Sequence, residues 1–371
     1  PAILYLFGKD SADGRLLIWR CTWDMICDAP LAGHGQGAFQ AKYMLYQADY
    51  FTAHPDSKYT ALADNVLHPF NEYLLVFAEH GLMGLAFLAL LGFLLFRSYR
   101  KERSNAKRTA LLSLLALAVF SCFSYPFKYP FTWLIAFLNI AVIFYPTRIF
   151  QNTKLLNIIT KTAVAIAVFG IFFTAIPRLK AEMKWNKTAH QSLAGKTREV
   201  LPEYDKLYRY LGKNGLFLYN HAAELHEIKE YERSIAVFSL CTVYYNDMDV
   251  QMLLADNYKE LQRYEKAEQH LKLAATMCPA RFMPLYELAE LYNETGRKAE
   301  AVALARQIAD KNVKIPSATV FAIKQKMRQL IEKSEAEEKC ILSKNKKQTN
   351  IHHWSDGYSE GQTSDISVRP P

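Results

Sequence analysis

Three polar segments carry residue types that could run a reaction at a membrane surface. The first begins at Gly14-Arg15. A guanidinium is a planar fork of donors that binds phosphate oxygens in pairs, and Asp13 or Asp24 is the alternative partner for Arg15. Arg20, further along the same segment, is a second candidate for binding substrate. The second segment runs from Pro30 to Gly37 and holds His34 between glycines, where it could face a ligand. Its G-x-G-x-G has no strand before it and reads better as a flexible turn than as a phosphate loop. The third segment, Asp64 to Leu75, brings His68, Asn71 and Glu72 directly ahead of an apolar run. A histidine or carboxylate there could take a proton from a sugar hydroxyl while Arg15 stabilises a diphosphate leaving group. Asn71 and Glu72 could equally cap the helix that follows, and the two roles are compatible.

These residues need helices to position them. Leu16, Trp19, Trp23 and Ile26 recur at helical spacing, so residues 14–28 read as an amphipathic helix on a membrane interface or capping a bundle of spans. Four apolar stretches follow, near 74–96, 109–125, 129–146 and 155–176, each long enough or nearly so to cross a bilayer core. The second and third are separated by Ser124-Tyr125-Pro126-Phe127-Lys128-Tyr129-Pro130, whose prolines break a helix and whose tyrosines suit an interface. Between the first and second spans, Arg97 to Arg108 holds six basic residues and one acidic residue, which marks that turn as cytoplasmic. Arg148 and Lys154 mark the next cytoplasmic turn, and alternation sends residues 8–73 and the chain after 177 to the opposite face. The segment Ala2 to Phe7 reads as the end of a preceding span, so upstream sequence is expected.

From about residue 215 the pattern changes to a repeat of roughly 34 residues, the period of helix-turn-helix tetratricopeptide repeats. Leu254-Ala255, Tyr258, Ala267, Leu271 and Ala274 recur 34 residues on as Leu288-Ala289, Tyr292, Ala301, Ala305 and Ile308, with Tyr264 and Pro279 in the first copy and Gly296 in the second also on the pattern. A weaker first copy holds Ala222-Ala223, Tyr231, Ser234, Phe238 and Cys241. Small residues at these places let paired helices approach closely. A plain antiparallel bundle is the alternative. Residues 177–214 form a linker or helix, 316–338 a charged capping helix, and 339–371 a polar, disordered tail. The fold class is therefore all-α: polytopic membrane helices followed by a soluble α-helical, TPR-like repeat domain.

The net charge of +9 collects beside the spans and in the tail around Lys344 to Lys347, where it sets topology or meets anionic lipid. No recognition helix or RNA-binding signature accompanies it, so nucleic acid is not an expected partner. The six cysteines contain no C-x-x-C pair, and neither a disulfide framework nor a metal site is expected.

At these residues the sequence resembles the O-antigen ligase and polymerase family of bacterial envelope glycosyltransferases. The resemblance rests on Gly14-Arg15 with Ile18-Trp19, the stretch Asp28 to Gly37, Asn71-Glu72-Tyr73-Leu74, and Glu79-His80-Gly81-Leu82-Met83-Gly84-Leu85. It implies an undecaprenyl-diphosphate-linked glycan donor, a glycan, lipid A core or protein acceptor, no cofactor, and a multi-pass location in the inner membrane with the loop and repeats in the periplasm. In the family an arginine of the loop is thought to engage the donor diphosphate and a histidine acts near the acceptor. Arg15 matches the first role. The family's His-Asn pair is here Phe70-Asn71, with Asn71 keeping its spacing to Gly81, so His68 is the substitute for the missing histidine or this branch works without one. The repeats are expected to bind an acceptor or protein partner. A non-catalytic, membrane-anchored repeat scaffold is the rival reading, and a transporter, resting on Glu79 and His80 alone, is a third.

Overall fold

The computed structural model describes residues 2–145 and 154–356, with the backbone course alone for 2–10, most of 154–174, and 340–356. Every regular element among the described residues is helical. The chain divides into two compact units, residues 1–284 and 285–371.

In the first unit, α1 (Ala2–Asp28) and α2 (Ala38–Ala53) form a hairpin whose buried faces meet. The tryptophan face of α1 divides. Leu17, Ile18, Cys21, Met25 and Ile26 are buried against Phe39, Tyr43 and Met44 of α2, whereas Leu16 and Trp23 stay about half exposed, at 48% and 51%. The core face is thus rotated from the expected stripe, with Leu16 turned outward and Trp23 half exposed against the edge of Phe77.

Asn71 starts α3 (Glu72–Lys101): its side-chain oxygen accepts from the amides of Tyr73 at 2.9 Å and Leu74 at 3.0 Å. Ser104 caps α4 (Asn105–Ser121) in the same way, and Pro130 opens α5 (Pro130–Phe144) at a position where a missing N–H is tolerated. The three helices are tied across by Tyr73 to the Ala118 carbonyl (3.0 Å), Ser98 to the Ile143 carbonyl (2.8 Å) and Asn139 to Ser113 (3.2 Å). Their outer surfaces expose Phe87, Phe93, Leu115, Phe120, Phe137 and Leu138. Of the described helices, α3 is the one both long and apolar enough to cross a membrane; α4 and α5 have 17 and 15 residues. The fourth expected span lies within α6 (Lys154–Leu193), mostly outside the described side chains, as do residue 146 and Arg148.

The end of α6 packs through Ala181 and Trp185 on α7 (Thr197–Leu211), which leads into the helix pairs α8 (Gly215–Glu227) with α9 (Tyr231–Cys241) and α10 (Met248–Glu260) with α11 (Tyr264–Met277). The repeat reading is supported inside each pair. Ala222 and Ala255 are buried at equivalent places, as are Ser234 and Ala267. Each pair is joined by a turn residue with positive φ, Lys229 (69°) and Gln262 (57°), followed by a 2.9 or 2.8 Å backbone bond from the next amide to the carbonyl four residues before the turn residue.

The second unit repeats this arrangement by itself, with α12 (Met283–Glu294), a turn at Gly296 (φ 79°), and α13 (Lys298–Asp310) burying Ala289, Ala301, Ala305 and Ile308. It closes on α14 (Ala318–Asp356), bound to α13 by the ion pairs Lys298–Glu337 and Arg306–Glu335. The remainder of the expected tail, 357–371, lies outside the described residues.

Candidate functional site

The site is assembled where the loop enters α3. Pro69 and Asn71 are extended or turning backbone, and Phe70 between them has φ 53°, a left-handed conformation rarely adopted by a bulky side chain. The indole N–H of Trp19 fixes this reversal by donating to the Pro69 carbonyl at 2.8 Å. Phe70 is thereby aimed between α1 and the turn joining α4 to α5. The Arg15 guanidinium lies 5.5 Å from its ring centroid, and the ring meets Tyr125 edge-on at 5.3 Å.

Tyr125 is the hub of that turn. His68 stacks on it at 4.8 Å with 25° between the planes, and the Lys128 ammonium stands 5.7 Å from its centroid. The Glu72 carboxylate accepts the amide N–H of Phe127 at 3.0 Å, so it stitches the start of α3 to the same turn. Arg15, His68 and Glu72 are therefore brought to one aromatic cluster. Arg15 has no carboxylate partner among the described residues, because Asp24 pairs instead with Arg20 at 3.5 Å. Burial, and secondarily the positive charge of Lys128, lowers the His68 pKa from 6.5 to about 4. Its imidazole is neutral at ordinary pH, with Nε2 buried and unpaired among the described residues.

The other expected site residues are used differently. Arg20 is exposed on α1, about 140° around the helix from Arg15. His34 has both ring nitrogens engaged, Nε2 with the Met25 carbonyl at 2.7 Å and Nδ1 with Lys42 at 3.1 Å, which binds it into the hairpin. Asn71 spends its side-chain oxygen on the helix cap.

The glycine-rich segment is a fixed joint. Gly33, Gly35 and Gly37 all have positive φ, and α3 is broken at Gly81 (φ 63°, ψ −160°). In an unbroken helix the carbonyls of Ala78 and Glu79 would receive the amides of Leu82 and Met83. Instead, they receive His34 N–H at 3.0 Å and Gly35 N–H at 2.8 Å, while Leu82 N–H and Met83 N–H go to the carbonyls of Pro30 and Leu31 at 2.8 and 3.3 Å. The segment is spliced into the helix. A Cβ on Gly81 would lie 2.3 Å from the Leu31 oxygen, and one on Gly33 2.4 Å from Glu79 backbone. Glu79 completes the joint by accepting the Phe39 amide at the start of α2, whose positive end favours a carboxylate. Beyond Gly81, the 20 residues Leu82–Lys101 span about 30 Å, the thickness of a bilayer core.

The loop is also built into the repeats. Buried Gln47 of α2 donates to the Met277 carbonyl at 2.6 Å and to the Asp64 carbonyl at 3.2 Å, while accepting from Tyr43. Asn65 donates to Asp249 at 2.9 Å and accepts from the Met248 amide at 3.2 Å. Ala274, Met277 and Cys278 share one core with Phe39 and Tyr43. Loop and repeats therefore lie on the same side of any membrane that α3 crosses.

Sequence reasoning missed Tyr125 and Lys128 as neighbours of His68, and Tyr125 as a neighbour of Phe70, the ring that carries Arg15. The available signal was a lone charge in a turn otherwise of proline and aromatic residues. Among the described residues, no three His, Cys, Asp or Glu side chains gather as a metal site.

This arrangement joins a helical unit, with one helix long and apolar enough to cross a membrane, to paired repeat helices, and a family model matches a segment of each part. The tetratricopeptide repeat model matches residues 249–281, and the O-antigen ligase model matches residues 7–89, the region of Arg15, His68, Glu72 and the spliced joint. A comparison with curated proteins finds no match. Similar solved structures include a crystal structure of MamA protein (11% identity, 51% of this chain and 99% of that chain, TM-score 0.37). Another crystal structure of MamA has 12% identity over 42% of this chain and 95% of that chain, TM-score 0.33. The MamA RS-1 ArsTM double mutant has 15% identity over 40% and 75%, TM-score 0.32. These likenesses are too distant to bear on function.

Proposed function

We propose that this chain is the catalytic part of a membrane glycosyltransferase of O-antigen ligase or polymerase type. It moves a saccharide from an undecaprenyl-diphosphate carrier to a glycan, lipid A core or protein acceptor on the periplasmic face of the bacterial inner membrane. In this reading α3, α4, α5 and the first part of α6 are spans.

The observation that carries the reading is Arg15: a guanidinium without a carboxylate partner among the described residues, held on Phe70 beside Glu72 and His68, inside the segment that matches the O-antigen ligase model. An acceptor hydroxyl attacks the anomeric carbon as the bond to the diphosphate oxygen breaks, with inversion. Arg15 stabilises the charge growing on the leaving diphosphate. Glu72, placed by the Phe127 amide, takes the hydroxyl proton. His68, neutral and packed on Tyr125, holds the aromatic wall between them.

Replacing Arg15→Ala in the full chain is expected to abolish extended glycan on an envelope gel without loss of protein; undiminished glycan would sink the role of Arg15. Glu72→Gln, whose amide oxygen can still accept from Phe127, isolates the proton-transfer step and should lower transfer by about 10²–10⁴-fold. If both variants transfer normally, the rival reading of a membrane-anchored repeat scaffold is the better one.

A further inference from the structure

The turn between α4 and α5 contains one charge, Lys128. Its side chain is exposed, stands over Tyr125, and has no carboxylate partner among the described residues. Tyr125 also contacts Phe70, the ring on which Arg15 rests. Two cations from distant segments thus attach to one pair of contacting rings. The adjoining carboxylate, Glu72, is bound to a backbone amide of the turn. Two like charges held on one ring pair repel, and with the adjoining Glu72 carboxylate turned to the Phe127 amide, an anion shared between the two cations lowers that cost. The two groups are also complementary as ligands. A guanidinium binds phosphate through a fixed fork, and an ammonium meets it as a compact charge with three free donors.

We propose that Lys128 is the second cationic arm of a diphosphate-ester site whose first arm is Arg15. The proposal rests on the reading of Arg15 as the diphosphate ligand. It adds that the α4–α5 turn is part of the binding site, one arm holding each end of the diphosphate. The same chemistry could be supplied by the headgroup of a bulk phospholipid, since an interfacial lysine readily reaches lipid phosphate.

The two sources are separated by acetylating lysines of the full chain in nanodiscs and following Lys128 by mass spectrometry, with inorganic pyrophosphate as the probe. In phosphatidylcholine nanodiscs, pyrophosphate is expected to protect Lys128, inorganic phosphate to protect it far less, and Arg15→Gln to raise the protecting concentration about tenfold. Labelling of Lys128 that is unaffected by pyrophosphate overturns the proposal. So does protection by phosphatidylglycerol nanodiscs alone with no further effect of pyrophosphate, which assigns Lys128 to lipid headgroups. Calorimetric titration with pyrophosphate gives an independent measure: Lys128→Arg should bind nearly as wild type and Lys128→Gln about tenfold more weakly. Arg15-dependent glycan transfer without Lys128 protection would overturn this inference alone. Protection without any transfer would uphold the site and overturn the transferase reading.

Discussion

Arg281, just beyond α11, donates from one terminal nitrogen to both carboxylate oxygens of Asp64 at 2.7 Å, across 217 residues of sequence. This pair lies at the rim of the seam between loop and repeats, and both side chains are 53% exposed. Water screens it, so it contributes about 1 kcal/mol or less. The buried amide of Gln47 lies nearby and matters more. The α10–α11 repeat attached in this way is a wall of the loop's own core, alongside the partner-binding role expected of the repeats from sequence.

Gln47→Leu should therefore destabilise the chain much more than Asp64→Asn. The first leaves the Met277 carbonyl and the Tyr43 hydroxyl without their partner and should cost about 2–3 kcal/mol, the second about 0.5 kcal/mol. Thermal melts in detergent decide it, and equal losses would mean that the seam is not cooperative.

The spliced joint makes a sharper contrast between two glycines. Gly81→Ala adds a Cβ 2.3 Å from a backbone oxygen at a φ of 63°, with no flexible side chain to yield, and should cost more than about 3 kcal/mol. Gly35→Ala meets open space, so only its φ of 97° counts against it, for about 1–2 kcal/mol. Yield of folded protein after membrane extraction should fall steeply for the first and modestly for the second.

His68 links the site to pH. Its folded pKa of about 4 lies below the ordinary 6.5, so the unfolded chain binds the proton more readily. The stabilising contribution of the neutral ring is fully present above 6.5 and is lost as pH falls toward 4. With allowance for solvent screening this amounts to about 1–2 kcal/mol. His68→Phe should keep the stack on Tyr125 and flatten the fall in melting temperature between pH 7 and pH 4.5; an unchanged slope would assign it to other groups.

Gln262 occupies the left-handed turn position that Gly296 fills in the next repeat. Gln262→Gly should raise stability by about 0.5–1 kcal/mol, measured as a shift in melting temperature. A decrease would mean that the side chain contributes packing worth more than the backbone strain.

Much of this fold can be read from residue spacing, because spacing is a local property. The small residues Ala222, Ala255 and Ala289 mark close helix contacts whatever surrounds them, and the apolar run after Asn71 marks the start of a helix long and apolar enough to cross a membrane. Arg15 was legible as a candidate phosphate ligand by its chemistry, but its lack of a carboxylate partner among the described residues was not, since that depended on Asp24 choosing Arg20. The splice at Gly81 was hidden for a related reason. Its partners are the backbone atoms of Pro30 to Gly35, and backbone atoms leave no residue-type signature except the glycines that permit their approach. Those glycines read as flexibility when their purpose is proximity. The seam at Gln47 has no periodic signal either: a glutamine in a helix becomes informative only when its surroundings are known to be closed to water.

The joint at Gly81 also imposes an order on biosynthesis. Closed off from water in the joint, the amides of Leu82 and Met83 and the carbonyls of Ala78 and Glu79 would each cost about 1–3 kcal/mol if left unpaired. All of their partners lie earlier in the chain, in residues 30–35. By the time α3 emerges from the ribosome, the segment that completes it has already been made. The helix can therefore break on arrival without waiting for later chain, whereas the wall supplied by Met277 closes last.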